Sequence, residues 1–159
     1  MKIERKYLAH FINGADKSGD AAVYERLGQD LEEFSVSLSA QVESKKNILG
    51  ETAVVISSYE KTAAVEPYYA QPGSALFARL QAIIDQGLVL DELKTDVVEV
   101  KLWDAKQGSV YPAIREEAYI EVTSYGGDTT GYQIPFTIHY TGNKVSGTFD
   151  VSTKTFTEG

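Results

Sequence analysis

The chain has no cysteine, one methionine, one tryptophan, four prolines and two histidines in 159 residues. Without cysteine there is no disulfide, no thiolate metal site and no cysteine nucleophile. With only His10 and His139, a histidine-rich metal centre is excluded, and a Ser-His-Asp arrangement would have to use one of these two. His139 falls on the polar face of a strand pattern and His10 in a segment with little to bury, so both read as packing or surface residues. Apolar runs are short, and none nears the roughly 20 residues of a membrane helix. The opening, Met1-Lys2-Ile3-Glu4-Arg5-Lys6, is charged with no apolar stretch after it, so it does not read as a secretory signal. Basic residues are also scarce: 15 Lys and Arg against 23 Asp and Glu give a net charge of −8. A surface that grips phosphate needs clustered cations, so stable nucleic-acid binding is disfavoured. A surface past which nucleic acid slides without sticking is compatible with that charge.

What is present is mostly strand chemistry. Thr, Val, Tyr, Ile, Ser and Phe dominate, broken at intervals by glycine. Residues 1–28 read as an N-terminal arm or long loop, with a short strand over 6–13 whose apolar anchors are Tyr7 and Phe11, and with turn chemistry at Asn13-Gly14 and Ser18-Gly19-Asp20. From residue 33 the period becomes two. Phe34, Val36, Leu38, Ala40 and Val42 share one face; Glu33, Ser35, Ser37, Ser39 and Gln41 share the other. That alternation predicts a half-buried antiparallel strand. A turn over 44–50 leads to a second strand over 51–61, apolar on both faces and so expected to be covered on both sides.

A breaker-rich loop, 66–73, precedes the single predicted helix, about 74–86. Ser74 suits its N-cap and Gly87 its C′ position. Leu76, Leu80, Ile83 and Ile84 form its apolar stripe, with Arg79, Gln81, Asp85 and Gln86 expected to be wet. Strands are then expected over 96–103, 113–125, 132–140 and 145–150. Pro135 demands an edge or a bulge, and Thr141-Gly142-Asn143-Lys144 is read as a hairpin turn. Together these predict a mainly β fold: an antiparallel β-sandwich or partly rolled barrel over 29–159, one flanking helix, and an extended N-terminal arm.

No motif carries catalysis. Gly126-Gly127 with Gly131 fails as a dinucleotide fingerprint, because a strand and not a helix follows. Glu116, Glu117 and Glu121 cluster, but Glu117 and Glu121 share one face of one strand, which makes a charged face and not an acid/base pair across a cleft. The chain is therefore read as non-enzymatic and without cofactor or metal. Ten tyrosines leave open a carbohydrate-binding module.

The strings themselves go further. Ala113-Ile114-Arg115-Glu116-Glu117-Ala118-Tyr119-Ile120-Glu121-Val122, Ser124-Tyr125-Gly126-Gly127-Asp128-Thr129-Thr130-Gly131 and Ile134-Pro135-Phe136-Thr137-Ile138-His139-Tyr140-Thr141-Gly142-Asn143 follow one another in order. With Gly147-Thr148-Phe149-Asp150, Asn47-Ile48-Leu49-Gly50-Glu51, Val65-Glu66-Pro67-Tyr68-Tyr69 and the opening Arg5-Lys6-Tyr7-Leu8-Ala9-His10-Phe11, they resemble the major tail protein, or tail tube protein, of long-tailed bacteriophages and prophages. The resemblance implies six-membered rings stacked into a hollow tube that carries DNA into the host. It implies a virion tail location after assembly in the host cytoplasm, and contacts with tape measure, tail terminator and tail tip proteins. The fold is shared with the type VI secretion ring protein, which makes a secretion ring the nearest alternative. In such a tube Glu33, Glu117 and Glu121 are expected to face the lumen, with DNA as transient cargo. Tyr7, Phe11, Ile48, Leu49, Tyr68 and Tyr69 are expected to make inter-subunit or inter-ring contacts.

Overall fold

The structure, a computed structural model, describes residues 1–15, 21–104 and 106–159. Among these residues ten strands and one α-helix follow in order. They are β1 (Leu8–Asn13), β2 (Tyr24–Leu27), β3 (Val36–Lys46), β4 (Thr52–Val65), α1 (Ala75–Gln86), β5 (Lys94–Lys101), β6 (Val110–Val122), β7 (Gly126–Asp128), β8 (Gly131–Gln133), β9 (Phe136–Asp150) and β10 (Thr155–Glu158). Seven strands run β2-β1-β5-β6-β9-β4-β3, with β10 added beside β9, and all pairings are antiparallel. β7 and β8 form a separate small hairpin.

The helix forms where its caps are. The Ser74 hydroxyl accepts the Phe77 N–H, and Gly87 closes the other end at φ 63°. Leu76, Leu80 and Ile83 are buried against Val97, Ala118, Ile120, Phe136 and Ile138. The opposite sheet face carries a second cluster of Ala9, Phe11, Tyr24, Val98, Val100, Ala113 and Phe149. Phe11 of β1 and Phe149 of β9 have two strands, β5 and β6, between them in the sheet, yet their rings lie 4.5 Å apart. The sheet has curled until side chains of β1 and β9 touch within the second core cluster. It is partly rolled and not closed, because β2 and β3 remain at its two ends.

Four expectations are corrected. The segment read as an arm supplies two sheet strands: β1 lies between β2 and β5, and Ala9, His10, Phe11 and Ile12 are buried. Its few apolar residues are enough because β1 buries both faces at once. The turn at Ser18-Gly19-Asp20 lies outside the described residues. Arg79 is buried, not wet; its guanidinium donates to the carbonyls of Ala15 at 3.0 Å, Glu92 at 3.4 Å and Lys94, tying α1 to the chain before β5. Thr141 to Lys144 do not turn the chain, since β9 runs straight through them as a wide bulge. The two strands read from residue 33 are less covered than expected: the first, read as half-buried, begins at Val36 and leaves Leu38 and Val42 exposed, and the second, read over 51–61 as covered on both sides, is exposed from 52 to 60, because the pair projects beyond the sheet. Pro135 does break the strand pattern, standing between β8 and β9.

Candidate assembly surface

β3 and β4 pair along their full length, but β4 joins β9 only through Thr62 to Val65. The hairpin from Ser37 to Lys61 therefore projects beyond the sheet. Its tip is built on Asn47, whose side-chain oxygen accepts the N–H groups of Leu49 (2.9 Å) and Glu51 (3.0 Å). Gly50 takes φ 82°, where a side chain would be strained.

Paired residues of two antiparallel strands point to the same face, so the register sorts the hairpin into two surfaces. One carries the pairs Leu38/Lys61, Ala40/Tyr59, Val42/Ile56 and Ser44/Val54. Leu38, Val42, Val54, Ile56 and Tyr59 are between 52% and 63% exposed, an apolar strip that the described residues leave uncovered. Monomeric proteins rarely leave such a strip bare. The other surface carries Ser37/Thr62, Ser39/Glu60, Gln41/Ser58, Glu43/Val55 and Lys45/Ala53, and is polar. Both hairpin edges are also open, leaving N–H and C=O groups of β3 unpaired on the outer side.

The polar surface does not stop at the hairpin. Thr62 pairs with His139, His139 with Tyr119, and Thr137 with Glu121. The same face thus continues on to Glu117, Tyr119 and Glu121 of β6, beyond the part of the sheet that the second core cluster covers. The strand members of both polar rows seen in the sequence, Ser37, Ser39 and Gln41 of the first and Glu117, Tyr119 and Glu121 of the second, lie on this one face. Glu117 is half-buried and 3.1 Å from Lys94, whose ammonium is held above its ordinary pKa chiefly by that hydrogen bond. Glu121 is exposed and 2.6 Å from His139. Glu43, Glu60, Glu117 and Glu121 outnumber Lys45 and Lys94 here, so the face is acidic but already partly neutralised. Glu33 is exposed in the loop ahead of β3, outside any strand.

The residues expected at contacts divide. Ile48 and Leu49 stand at the hairpin tip, 102% and 76% exposed. Tyr7 is exposed at the foot of β1. Phe11 is corrected: it is 4% exposed against Phe149 and has no surface to offer a neighbour. Tyr68 packs edge-on against Phe136 with ring centres 5.6 Å apart, and the Tyr69 hydroxyl lies 3.0 Å from Thr130 Oγ1. The loop that holds them is zipped to β8 and its neighbour by Ala70 N–H to Tyr132 O and Ile134 N–H to Tyr68 O, both 2.9 Å. Their first use is within the chain. The apolar strip of β4 went unrecognised because Val54, Ile56 and Tyr59 do not share one period: the bulge between Gln41/Ser58 and Val42/Ile56 brings them together.

Among the described residues no group of three or more His, Asp or Glu is arranged to hold a metal ion, and no helix is long and apolar enough to cross a membrane. No protein-family model matches the chain, and no curated protein matches it. Solved structures do. The SPP1 tail tube matches with a TM-score of 0.62 at 14% identity, covering 91% of this chain and 78% of that one. The sheath/tube terminator of PVC, an extracellular contractile injection system, in its extended state, matches with a TM-score of 0.55 at 12% identity, covering 92% and 96%. At these identities the likeness is one of fold, and the chain has the tail tube protein fold.

Proposed function

We propose that the chain is the structural subunit of a phage tail tube, assembling with copies of itself into stacked hexameric rings around a channel for DNA. The observation that carries this reading is the projecting hairpin, apolar on one face and polar on the other, on a fold shared with the SPP1 tail tube. An apolar strip of this size gains free energy only when covered, at about 25 cal/mol per Å² removed from water. A copy of the same chain is the partner that a self-assembling tube supplies. The tip residues Ile48 and Leu49, with exposed Tyr7, extend this contact. Tyr68 and Tyr69 act indirectly, by fixing the loop against β8.

The polar face then has the opposite duty. Turned to the channel, Glu117, Glu121 and the Ser37, Ser39 and Gln41 row present a hydrated, net acidic wall that repels phosphate and lets DNA pass without holding it. Glu33, exposed in the loop ahead of β3, is expected to add its charge to that wall. The role is architectural, not catalytic. The partners are further copies and the tape measure, terminator and tip proteins of a virion tail assembled in the host cytoplasm. The PVC likeness supports a second reading, the tube of an injection system with protein cargo.

Negative-stain microscopy of the purified protein at high concentration tests the proposal. Tubes or stacked six-fold rings are expected. Single featureless particles at every concentration, with affinity for a glycan array, would replace it with the carbohydrate-binding reading.

A further inference from the structure

Three departures from regular sheet geometry coincide at one point. The β4–β9 ladder ends at Thr62/His139. The β6–β9 ladder skips from Ala118/Tyr140 to Glu116/Lys144, so that residues 141–143 of β9 stand opposite Glu117 alone. The hairpin leaves the sheet at the next residue, Lys61. The Lys61 ammonium turns back from the hairpin's apolar face into the body of the protein. It meets Glu116 Oε1 at 2.6 Å and lies 4.7 Å from the centre of the Tyr140 ring. Glu116 is buried, 3% exposed, and its other oxygen accepts the Gly142 N–H at 3.1 Å. Gly142 sits at φ 91°, a conformation that favours glycine.

One carboxylate therefore ties three strands: its own β6, the bulge of β9 through Gly142, and β4 through Lys61. The hairpin has no other side-chain hydrogen bond or ion pair to the body along its length from residue 38 to 61 among the described residues. A two-stranded ribbon joined to a sheet by four residue pairs is free to swing unless something fixes its root. A buried ion pair is weak evidence for net stability, but it is directional, and it discriminates between geometries because an unpaired buried charge is costly.

We propose that the Lys61–Glu116 pair is a latch that sets the angle at which the hairpin leaves the sheet, so that Lys61 and Glu116 are positioning residues for assembly. The latch itself is a property of the single chain; its consequence for assembly rests on the function proposed above. A hairpin held in one direction meets its partner surface in a competent geometry. A hairpin that swings lowers the apparent affinity in proportion to the competent fraction, about ten-fold if that fraction falls to a tenth.

Because the chain lacks cysteine, paired spin labels can be placed at will. Lys46→Cys near the hairpin tip and Gln86→Cys at the end of α1 report the hairpin angle in unassembled protein by electron–electron double resonance. The otherwise unaltered protein is expected to give one narrow distance. Glu116→Gln and Lys61→Met are each expected to broaden it into several, while Lys61→Arg, which keeps the charge, retains a single peak. A broad distribution in the unaltered protein overturns the latch without any further variant. So does a narrow one in a folded Glu116→Gln or Lys61→Met variant, even if its thermal midpoint has dropped. Sedimentation of the same variants without labels then reads assembly. A hairpin that swings while tubes form with unchanged concentration dependence would leave the latch in place and remove the hairpin from the assembly account.

Discussion

Leu80 is fully buried on the inner face of α1, and its replacement measures how much the helix contributes. Leu80→Ala is expected to cost about 2–5 kcal/mol in denaturant unfolding, the range for a large side chain deleted from a packed core. A loss below about 0.5 kcal/mol would mean that the face is not a core position. Acid stability is also set residue by residue. Asp150 accepts from Ser152 Oγ (2.6 Å), Ser109 Oγ (2.8 Å) and Ser152 N–H (2.9 Å), which lowers its pKa from 3.8 to about 2. Glu99 is lowered too, first by its hydrogen bond with His10. A carboxylate with a depressed folded pKa adds stability that is complete above its unfolded pKa and is lost as pH falls through the folded one. Asp150→Asn is therefore expected to flatten the fall of the thermal midpoint between about pH 4 and pH 2, while leaving its slope above pH 5 unchanged. An unaltered acid limb would contradict this.

At the scale of elements, the hairpin is the part that stability experiments should not feel. Ile48→Ser with Leu49→Ser is expected to change monomer stability by less than about 0.5 kcal/mol, because both side chains are already in water. The same pair should raise the protein concentration needed for tubes, read by pelleting. Tubes at the original concentration would exclude the tip as a contact. The sequence made some elements legible and hid others for physical reasons. The helix was readable to its caps because Ser74 and Gly87 act locally. The alternation in β3 was real, but alternation reports an apolar face without saying what covers it; here the described residues leave Leu38 and Val42 exposed. Asn47 and Gly50 announced the tip correctly. Thr141-Gly142-Asn143-Lys144 has turn chemistry and yet lies mid-strand, because buried Glu116 binds Gly142 N–H and stabilises a bulge in place of a turn. That partner is 26 residues away in sequence and leaves no local signal. The short strand over 6–13 was legible and β1 fills most of it, but its place inside the sheet was not: its residues alternate poorly because both of its faces are covered once β2 and β5 are beside it.

For the whole molecule the central claim is a division of labour between two faces: apolar strip towards a neighbouring copy, polar face towards a channel. Repeating Glu117 and Glu121 around a ring brings like charges together, and screening shortens their reach to about 8–10 Å at physiological salt. Tube yield is therefore expected to rise from low to moderate salt, measured by turbidity and pelleting; a monotonic fall would speak against an acidic channel wall. Glu117→Lys with Glu121→Lys is expected to preserve the fold and make purified tubes retain DNA, whereas the unaltered tubes retain none. Equal, negligible retention would move these residues to the tube exterior. The most direct measurement is cryo-electron microscopy of the unaltered protein beside Val42→Ser with Ile56→Ser at one concentration. Both side chains are about half exposed or more in the monomer, so the fold should survive. The account predicts six-fold tubes for the unaltered protein with the Val42 and Ile56 strip buried against a neighbouring copy, and dispersed folded monomers for the variant. Tubes from the variant at the same concentration, or a map of the unaltered tube with that strip facing solvent, would contradict it.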